Sequence, residues 1–521
     1  MYIVKKKDKL NNTDRIGKEE KRMVQVKTKL GIVEGIFDGD EEHLLFAGIP
    51  YAQPPVGELR FRPPQRMRPW QGVKKCDVFG PAAMQKIIAI PPGKRWMCYG
   101  QEFFISGREG VSEDCLYLNV WAPARRLERS KRLPVLVIIH GGKFNSGAGS
   151  VPVLNGHNLS SEGVIVVTVN YRLGIFGFLA HPKLSGESEH QVSGNYGILD
   201  QIAALQWVQE NIECFGGDPD CVTIAGESAG AGSVLVLYQS PLAKGLFHRA
   251  FAQSCALFDV RVDMSRQSKV TLKNREQEGE KLLRGAGVYT VKEMRALAAD
   301  KLLELAGEWS PIIDGYLLPG DYREIFENHS QNDVPLLLGS NSDEGVIFSQ
   351  PHMDEAGLKQ ELQRLYGEKA KVVAELYLDG KTGMPQAWHY ERRDRIFEHT
   401  MYVWSILQSR YGKSPAYLYY FDRPVPEVGF GAFHSAALKY FYQNLACAKA
   451  AWEDVDYELS SRMNRYLLRF MRYGDPNEQG LESWLSFSES PDMVMELGEH
   501  VGMIPQPHRK MLEVLTDIYG L

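Results

Sequence analysis

The chain has 521 residues, of which 44% are apolar and 24% are charged, and its formal net charge is −5. These values are ordinary for a globular protein and exclude collagen-like, coiled-coil and largely disordered chains. The slightly acidic balance offers no basic excess for nucleic acid or anionic lipid, so we expect neither as a partner. Dividing the length by about 150 residues per domain suggests three domains, although single α/β enzymes exceed that size.

The N-terminal segment, residues 1–22, is rich in Lys, Arg, Asp, Glu and Asn. It contains no apolar run of the kind that a secretory signal needs, and no apolar stretch near any motif reaches the ~20 residues that cross a bilayer. We therefore expect a charged, disordered tail, no membrane association and a cytoplasmic protein. Lys18-Glu19-Glu20 can also be encoded by a purine-rich run like a bacterial ribosome-binding site. Whether translation starts at Met1 or at Met23 therefore stays open.

Short runs of β-branched and other apolar residues predict buried strands, and each run leads into a loop rich in Gly, Ser or Asn. Between them, apolar residues at three- and four-residue steps predict helices such as 199–212. This alternation indicates an α/β protein with a mainly parallel central sheet covered by helices on both faces. Segments 260–310 and 350–400 are predicted to be large helical insertions. The predicted strands are 135–139, 164–169, 222–225, 336–338 and 417–420.

The strongest single motif follows the predicted strand 222–225. Gly226-Glu227-Ser228-Ala229-Gly230 has the GxSxG pattern and precedes a helix-compatible run, 232–237. In this setting the central serine occupies a strained turn that exposes its hydroxyl at the top of the sheet. The start of the helix supplies backbone N–H groups where an oxyanion would form. We therefore predict that Ser228 is a nucleophile.

A serine hydroxyl needs a base and an orienting carboxylate, and on such sheets the acid and then the histidine follow the serine in the chain. The loop after strand 336–338 contains Asp343 and Glu344, and the loop after strand 417–420 contains His434. Active residues collect at the carboxyl ends of parallel strands, so we expect these loops to meet at the nucleophile. The residues alone leave the choice between the two acids open.

Two longer segments resemble the signatures of type-B carboxylesterases, the α/β-hydrolase family that includes cholinesterases and bacterial para-nitrobenzyl esterases. They are EDCLYLNVWAP at 113–123 and FGGDP at 215–219, which leads into the GxSxG motif. Further similar segments extend the resemblance from 48–52 to 474–477. The resemblance implies the α/β-hydrolase fold and one catalytic domain over residues 23–521.

By this resemblance Ser228 is the nucleophile, Glu344 the acid that orients the base, and His434 the base. Asp343 is then only a neighbour of the acid. Ser254 matches a serine that hydrogen-bonds near the triad in the family. The chemistry that the family carries out needs no metal and no organic cofactor.

The loop His140-Gly141-Gly142-Lys143-Phe144 is close to the HGGG-type loop of the family. The amides of Gly142, Lys143 and Ala229 are therefore the expected oxyanion donors, and Phe144 is expected to line the pocket. Position 143 is commonly Gly in the family, and a conformation open only to Gly would displace one donor. Two hypotheses for the Lys143 side chain stay open. Either it points away from the site, or its ammonium lies at the pocket rim and favours esters with a distal carboxylate.

The seven cysteines form no CxxC pair and no metal-binding pattern, which favours free thiols in a reducing compartment. Many exported relatives pair the cysteine at position 115 with one in a Gly-Pro-Ala-Cys segment, but this chain has Ala83 in that place. A bridge from Cys115 to Cys76 or to Cys98 stays open.

The expected function is hydrolysis of small to medium, uncharged or weakly charged carboxylic esters through an acyl-enzyme. One alternative is a catalytically weak binding or adhesion protein on the same fold, and another is a lipase, amidase or acyltransferase with the same triad. The carboxylate of Glu227 either attracts cationic parts of a substrate or belongs to a buried hydrogen-bond network. The oligomeric state stays open.

Overall fold

One large β-sheet with parallel middle strands runs through the molecule. The computed structural model describes residues 3–4, 23–87, 103, 109–126, 132–256, 262–263, 268–347, 354–378, 383–426 and 429–520. Seven neighbouring strands, from Ile165–Val169 to Met493–Leu497, pair in parallel, which confirms the predicted α/β architecture. Antiparallel strands that the sequence did not predict extend the sheet at both edges. In spatial order the strands are Ile3–Val4, Met23–Lys27, Ile32–Phe37, His43–Pro50, Tyr117–Pro123, Ile165–Val169, Leu133–Ile139, Gly217–Glu227, Arg249–Gln253, Leu336–Asn341, Ala416–Phe421, Met493–Leu497 and Val501–Pro505, with Val73–Lys75 beside Ile32–Phe37.

The parallel strands are buried on both faces. In Leu133–Ile139, Val137 and its neighbours two residues away pack into one core layer, whereas Leu136 and Ile138 pack into the layer on the other face. A strand that alternates between two buried layers carries apolar residues at every position, which explains the unbroken apolar run in the sequence. Predicted strand 222–225 is the middle of Gly217–Glu227, which continues to the residue before Ser228.

Helices cover both faces of the sheet. Tyr196–Asn211 contains the predicted helix 199–212 except its last residue, and the described part of 350–400 is mainly helical. The described part of 260–310 contains three helices, but also the antiparallel pair Val262–Asp263 and Ser268–Lys269, which the sequence did not predict. None of the helices in the described ranges is long and apolar enough to cross a membrane. The α-helices are His157–Ser161, Gly174–Phe178, Pro182–Glu187, Tyr196–Asn211, Ala229–Gln239, Leu272–Gly285, Val291–Ala296, Ala299–Glu304, Tyr322–Glu327, Glu355–Tyr366, Ala370–Tyr377, Met384–Arg392, His399–Tyr411, Leu438–Phe441, Asp454–Tyr473 and Arg509–Tyr519, and Arg393–Glu398 is a π-helix.

Only Ile3–Val4 of the predicted N-terminal tail is described. These two residues pair antiparallel with Val24 and Gln25 at the edge of the sheet, so they differ from the expected disordered segment. The remaining residues of 1–22 lie outside the described ranges, and the prediction for them stays a prediction. The prediction of one domain over 23–521 is likewise untested, although a single sheet that takes strands from both ends of that range supports it.

The predicted catalytic loops follow neighbouring parallel strands. Leu133–Ile139 precedes the glycine-rich loop, Gly217–Glu227 precedes Ser228, Leu336–Asn341 precedes Glu344, and Ala416–Phe421 precedes the loop of His434. Parallel strands of one sheet end at the same edge. The four loops therefore meet at the carboxyl edge of the sheet.

Candidate active site

Ser228 lies on a sharp turn between a strand and a helix. Its backbone angles are φ 57° and ψ −122°, which an L-residue adopts only under strain. A Cβ atom on Gly226 would lie 2.3 Å from the carbonyl carbon of Gly230, and one on Gly230 would lie 2.1 Å from the carbonyl oxygen of Ile139. Both flanking positions therefore need glycine, because backbone occupies the space of a side chain. The turn holds the serine at the carboxyl end of the strand, as GxSxG predicts.

Glu344 is fully buried and orients the imidazole of His434. Its Oε2 atom accepts a hydrogen bond from His434 Nδ1. Its Oε1 atom accepts one from the Asn341 amide at 2.9 Å and another from the Ser254 hydroxyl. Ser254 has a φ of 53°, and its amide donates to Gly339 O at 2.8 Å. The hydrogen bonds hold the carboxylate in one orientation, which in turn holds the imidazole.

Asp343 hydrogen-bonds the loop that precedes His434. Its Oδ2 atom accepts hydrogen bonds from the Ala432 amide at 3.0 Å and from the Ser342 hydroxyl at 2.6 Å. The side-chain amide of Asn341 donates to Phe433 O at 2.8 Å. The acid loop and the histidine loop are therefore joined directly. Sequence reasoning missed this role, because no local pattern marks a contact between loops 90 residues apart.

A second carboxylate lies on the other side of the histidine ring. Glu227 Oε1 is 3.0 Å from His434 Nε2, and the Ser435 hydroxyl donates to the same oxygen at 2.5 Å. Glu227 is buried, so it belongs to a hydrogen-bond network, the second of the two interpretations drawn from the sequence. Ser435 was not a candidate residue, and its position next to His434 is the only sequence signal that could have suggested it.

The two carboxylates act on the protonation of the ring. Burial raises the pKa of Glu227 to about 7, against the opposing charge of His434 and the hydrogen bond from Ser435. Burial alone would lower the pKa of His434, but the charges of Glu227 and Glu344, with the hydrogen bond to Glu344, raise it above its ordinary value. The protonation of each of these two facing side chains, Glu227 and His434, therefore affects that of the other.

The glycine-rich loop forms a tight turn against the serine. Gly142 has a φ of 106°, and its carbonyl accepts hydrogen bonds from the amides of Asn145 and Ser146, both at 3.0 Å. A Cβ atom on Gly142 would lie 2.2 Å from Ser146 O, so this position needs glycine. Gly141 lies against the nucleophile, because a Cβ atom there would be 3.3 Å from Ser228 Cβ. The loop is therefore close enough to Ser228 to take part in the same site.

Lys143 adopts a left-handed backbone conformation, which glycine, the common residue at this position in the family, adopts more easily. Its φ is 55°, a region that residues other than glycine reach at a cost of roughly 1–2 kcal/mol. The turn is therefore formed with lysine in place of glycine. Ala229 begins the helix Ala229–Gln239, so its amide is among the first four, which have no acceptor within the helix. The predicted donors Gly142, Lys143 and Ala229 flank Ser228, and their role stays a prediction.

The side chains of Lys143 and Phe144 point to different surroundings. Lys143 is exposed, yet its positive charge reaches the site and opposes protonation of His434. Phe144 is buried, and its ring lies 5.2 Å from that of Phe178. The predicted pocket role of Phe144 stays a prediction.

Cys76 and Cys115 are both buried and free, so the structure does not contain a bridge between them. Burial raises the pKa of the Cys76 thiol to about 12 and raises that of Cys115 further. Both side chains are therefore protonated thiols at neutral pH. Cys98, the other suggested partner, lies outside the described residues.

Comparison with known proteins identifies the family of the chain. The model of the carboxylesterase family matches residues 22–514. A fumonisin B1 esterase from Sphingopyxis macrogoltabida is 34% identical over 499 residues, covering 91% of this chain and 86% of that protein. A para-nitrobenzyl esterase from Bacillus subtilis is 33% identical over 521 residues, covering 95% and 99%. A solved thermophilic PNB esterase superposes with a TM-score of 0.79 at 32% identity, covering 94% and 99%. The chain therefore belongs to the carboxylesterase family and is a carboxylic-ester hydrolase.

Proposed function

We propose that the chain hydrolyses esters through an acyl-enzyme on Ser228, with His434 as the base and Glu344 as the residue that orients it. The observation that carries the proposal is the hydrogen bond from His434 to the buried Glu344 carboxylate, at the sheet edge where Ser228 occupies a strained turn. This arrangement supplies the base and the orienting acid that a serine nucleophile needs.

In the proposed cycle, His434 Nε2 takes the hydroxyl proton as Ser228 attacks the ester carbonyl. The negative charge that develops on the carbonyl oxygen is held by backbone amides, for which we propose Gly142, Lys143 and Ala229. His434 then returns the proton to the leaving alcohol, and water releases the acid by the same steps. Glu344 stabilises the imidazolium through Nδ1 during each transfer.

The contact between His434 Nε2 and Glu227 adds a condition to this cycle. The Nε2 atom must accept the Ser228 proton, so it must be unprotonated at that moment. It therefore cannot donate a hydrogen bond to Glu227 Oε1 at the same time. A neutral imidazole meets this condition, whereas an imidazolium bonded to both carboxylates does not. We therefore propose that the active form is the one in which His434 is neutral and its Nε2 atom carries no proton.

The proposed substrates are small to medium carboxylic esters. The names of two relatives, para-nitrobenzyl esterase and fumonisin B1 esterase, describe esterases and support this class. Lipase, amidase and acyltransferase activities use the same triad and differ in pocket shape and acceptor. A catalytically weak binding protein is disfavoured, because Ser228, Glu344 and His434 are all present.

The decisive experiment compares wild type with Ser228→Ala on para-nitrophenyl esters from acetate to laurate. We expect saturable hydrolysis with a preference for the shorter chains, and a loss of more than about a thousandfold in the variant. A fluorophosphonate should add its mass to the peptide that contains Ser228. Full activity of Ser228→Ala would overturn the nucleophile, a preference for laurate above its solubility limit would indicate a lipase, and equal turnover of the matching anilides would indicate an amidase.

We also propose that the protein acts in the cytoplasm. The free thiols of Cys76 and Cys115 are consistent with a reducing compartment. Fractionation of cells that produce the native gene, followed by an esterase assay with Ser228→Ala as control, tests this location.

A further inference from the structure

A cluster of two histidines and two aspartates lies at the edge of the sheet opposite the proposed nucleophile. His157 begins the helix His157–Ser161, which leads into the parallel strand Ile165–Val169. A segment that leads into a parallel strand lies at its amino end, whereas Ser228 follows the carboxyl end of another parallel strand of the same sheet. The cluster at this amino edge consists of Asp38, Asp40, His43 and His157.

The turn between two antiparallel strands fixes Asp40 and His43. Oδ1 of Asp40 accepts hydrogen bonds from the amides of Glu42 at 2.7 Å and His43 at 2.9 Å. Both carboxylate oxygens of Asp40 lie 2.8 Å from Nδ1 of His43. The ring of His43 is mostly buried, whereas the carboxylate of Asp40 is exposed. The turn therefore holds one imidazole beside one carboxylate, with access from solvent.

A second imidazole joins this pair from the helix. The ring centres of His43 and His157 lie 4.4 Å apart. Nδ1 of His157 lies 3.2 Å from Oδ2 of Asp38, which comes just before the same turn. One potential ligand atom from each of Asp40, His43 and His157 lies within 4.8 Å of the other two. The side chains are held by contacts with one another, and their donor atoms lie within reach of a single ion.

The donor set fits a divalent transition metal. Zn²⁺ binds imidazole nitrogen and carboxylate oxygen at about 2.0–2.2 Å in tetrahedral geometry, which places two ligand atoms roughly 3.4 Å apart. The observed spacings, 2.8 Å for the closest pair and at most 4.8 Å for the set, lie on either side of that value. The ion replaces the proton in the hydrogen bond between His43 and Asp40, so this contact does not exclude it. Mg²⁺ and Ca²⁺ prefer oxygen ligands alone, so the two nitrogens favour the zinc class.

We propose that Asp40, His43 and His157 bind one divalent transition-metal ion of the zinc class, with water as the fourth ligand. Asp38 is a positioning residue, because a carboxylate on the other side of a metal-bound histidine holds its ring in orientation. A bound ion joins the turn before the strand His43–Pro50 to the helix His157–Ser161, and it stabilises this edge of the sheet. The site takes no part in ester hydrolysis, so the inference is independent of the proposed function.

The test uses the full chain after treatment with EDTA and removal of the chelator, with Zn²⁺ alone as the probe. Titration calorimetry should show one ion bound per wild-type chain. Asp40→Asn keeps the oxygen that accepts from the turn amides but removes the charge, and His157→Ala removes a ligand at the half-buried surface. Loss of a residue that only orients a ligand weakens metal binding about 10- to 100-fold, so each of these variants should weaken it at least about tenfold.

His190→Ala is the matched control. His190 is also a surface histidine stacked on another ring, since its ring centre lies 3.8 Å from that of Tyr316. This variant should bind Zn²⁺ like wild type. Circular dichroism establishes that each variant is folded before its binding is compared with that of wild type.

Thermal unfolding gives a second readout. Zn²⁺ should raise the unfolding midpoint of wild type and His190→Ala but not that of Asp40→Asn or His157→Ala, because an ion that binds only the folded chain stabilises it. Mg²⁺ at the same concentration should raise none of them. Failure of wild type to bind Zn²⁺, or binding unchanged in both site variants, would overturn the site, and equal stabilisation by Mg²⁺ would overturn its assignment to the zinc class. The metal-free chain should still hydrolyse para-nitrophenyl acetate, so neither result bears on the proposed function.

Discussion

Glu227 Oε1 lies 3.0 Å from Nε2 of His434, the ring atom that must accept the proton of the proposed nucleophile. With Glu344 on Nδ1, the imidazole has a carboxylate at each nitrogen. Two flanking negative charges stabilise the imidazolium, which is useful during proton transfer but opposes the neutral base that begins it. In the proposed cycle, we expect the two carboxylates to stabilise the transition state and to reduce activity at low pH.

The first prediction concerns the acid limb of the pH profile. The charge of Glu227 raises the pKa of His434, and a base is active only when it is unprotonated. Activity is therefore lost as the pH falls through a raised pKa, and Glu227→Gln should move this limb of kcat/KM to lower pH. Stopped-time assays from pH 5 to pH 9 on a neutral ester measure the shift. A limb that stays in place or moves upward would contradict the role of Glu227.

The second prediction concerns the hydroxyl that Ser254 donates to Glu344. Ser254→Ala should lower kcat about tenfold or more with little change in KM, because a buried carboxylate loses one of its donors. The backbone of Ser254 is also strained, at φ 53°, so alanine keeps the strain and glycine relieves it. Ser254→Gly is the matched variant. If the hydroxyl orients Glu344, both variants lose kcat to a similar extent, whereas recovery of kcat in the glycine variant would assign the effect to the backbone.

The third prediction concerns the turn at Ser228. Gly230→Ala should destabilise the fold by about 3 kcal/mol, because its methyl group would lie 2.1 Å from a backbone carbonyl that cannot move aside. Gly186→Ala is the control, since no atom lies within 4 Å of the added methyl group at that exposed helical position. This variant should be neutral or stabilised by up to about 1 kcal/mol, because alanine favours a helix more than glycine does. Urea unfolding followed by circular dichroism measures both, and equal stability of the two variants would refute the steric argument.

The fourth prediction concerns a buried ion pair. Arg172 donates two hydrogen bonds to the carboxylate of Asp200, at 2.8 and 2.7 Å, and both side chains are almost fully buried. Asp200→Asn leaves an uncompensated buried charge and should cost about 3–5 kcal/mol in the free energy of unfolding. Glu304→Gln breaks the exposed pair with Lys301 and should cost less than about 1 kcal/mol. A loss of similar size in both variants would contradict the dependence on burial.

Much of the site follows from local patterns. One strand-turn-helix unit is formed by the run 222–225, the glycines around Ser228 and the helix-compatible run after them. Such a unit can be predicted from the sequence because its parts are adjacent in the chain. The loops of Glu344 and His434 follow from the rule that functional residues succeed parallel strands. The residues alone did not distinguish Glu344 from its neighbour Asp343. Two adjacent residues in a loop can point in different directions, and the sequence does not show which side chain points to the histidine.

Contacts between distant segments could not be predicted in this way. Ser435 and Glu227 are 208 residues apart. Ser254 and Glu344 are 90 apart, and only the family resemblance placed Ser254 near the triad. The helix Met384–Arg392 lies in a predicted helical insertion, but the sequence did not show that this helix packs against the acid loop. The antiparallel edge strands were missed for the same reason, because the residues of a short strand do not show which distant strand it pairs with.

The sequence by itself established the fold class and predicted the nucleophile and the order of its partners, because strand and helix periodicity, tight glycine turns and chain order are local properties. The tertiary structure shows Glu344 hydrogen-bonded to the imidazole, as the family resemblance implied. Only the tertiary structure decided that Glu227 faces the other nitrogen and that Lys143 occupies a left-handed turn beside the site. These depend on the direction of side chains across loops that are far apart in the chain, and close packing of the sheet and its helices sets those directions.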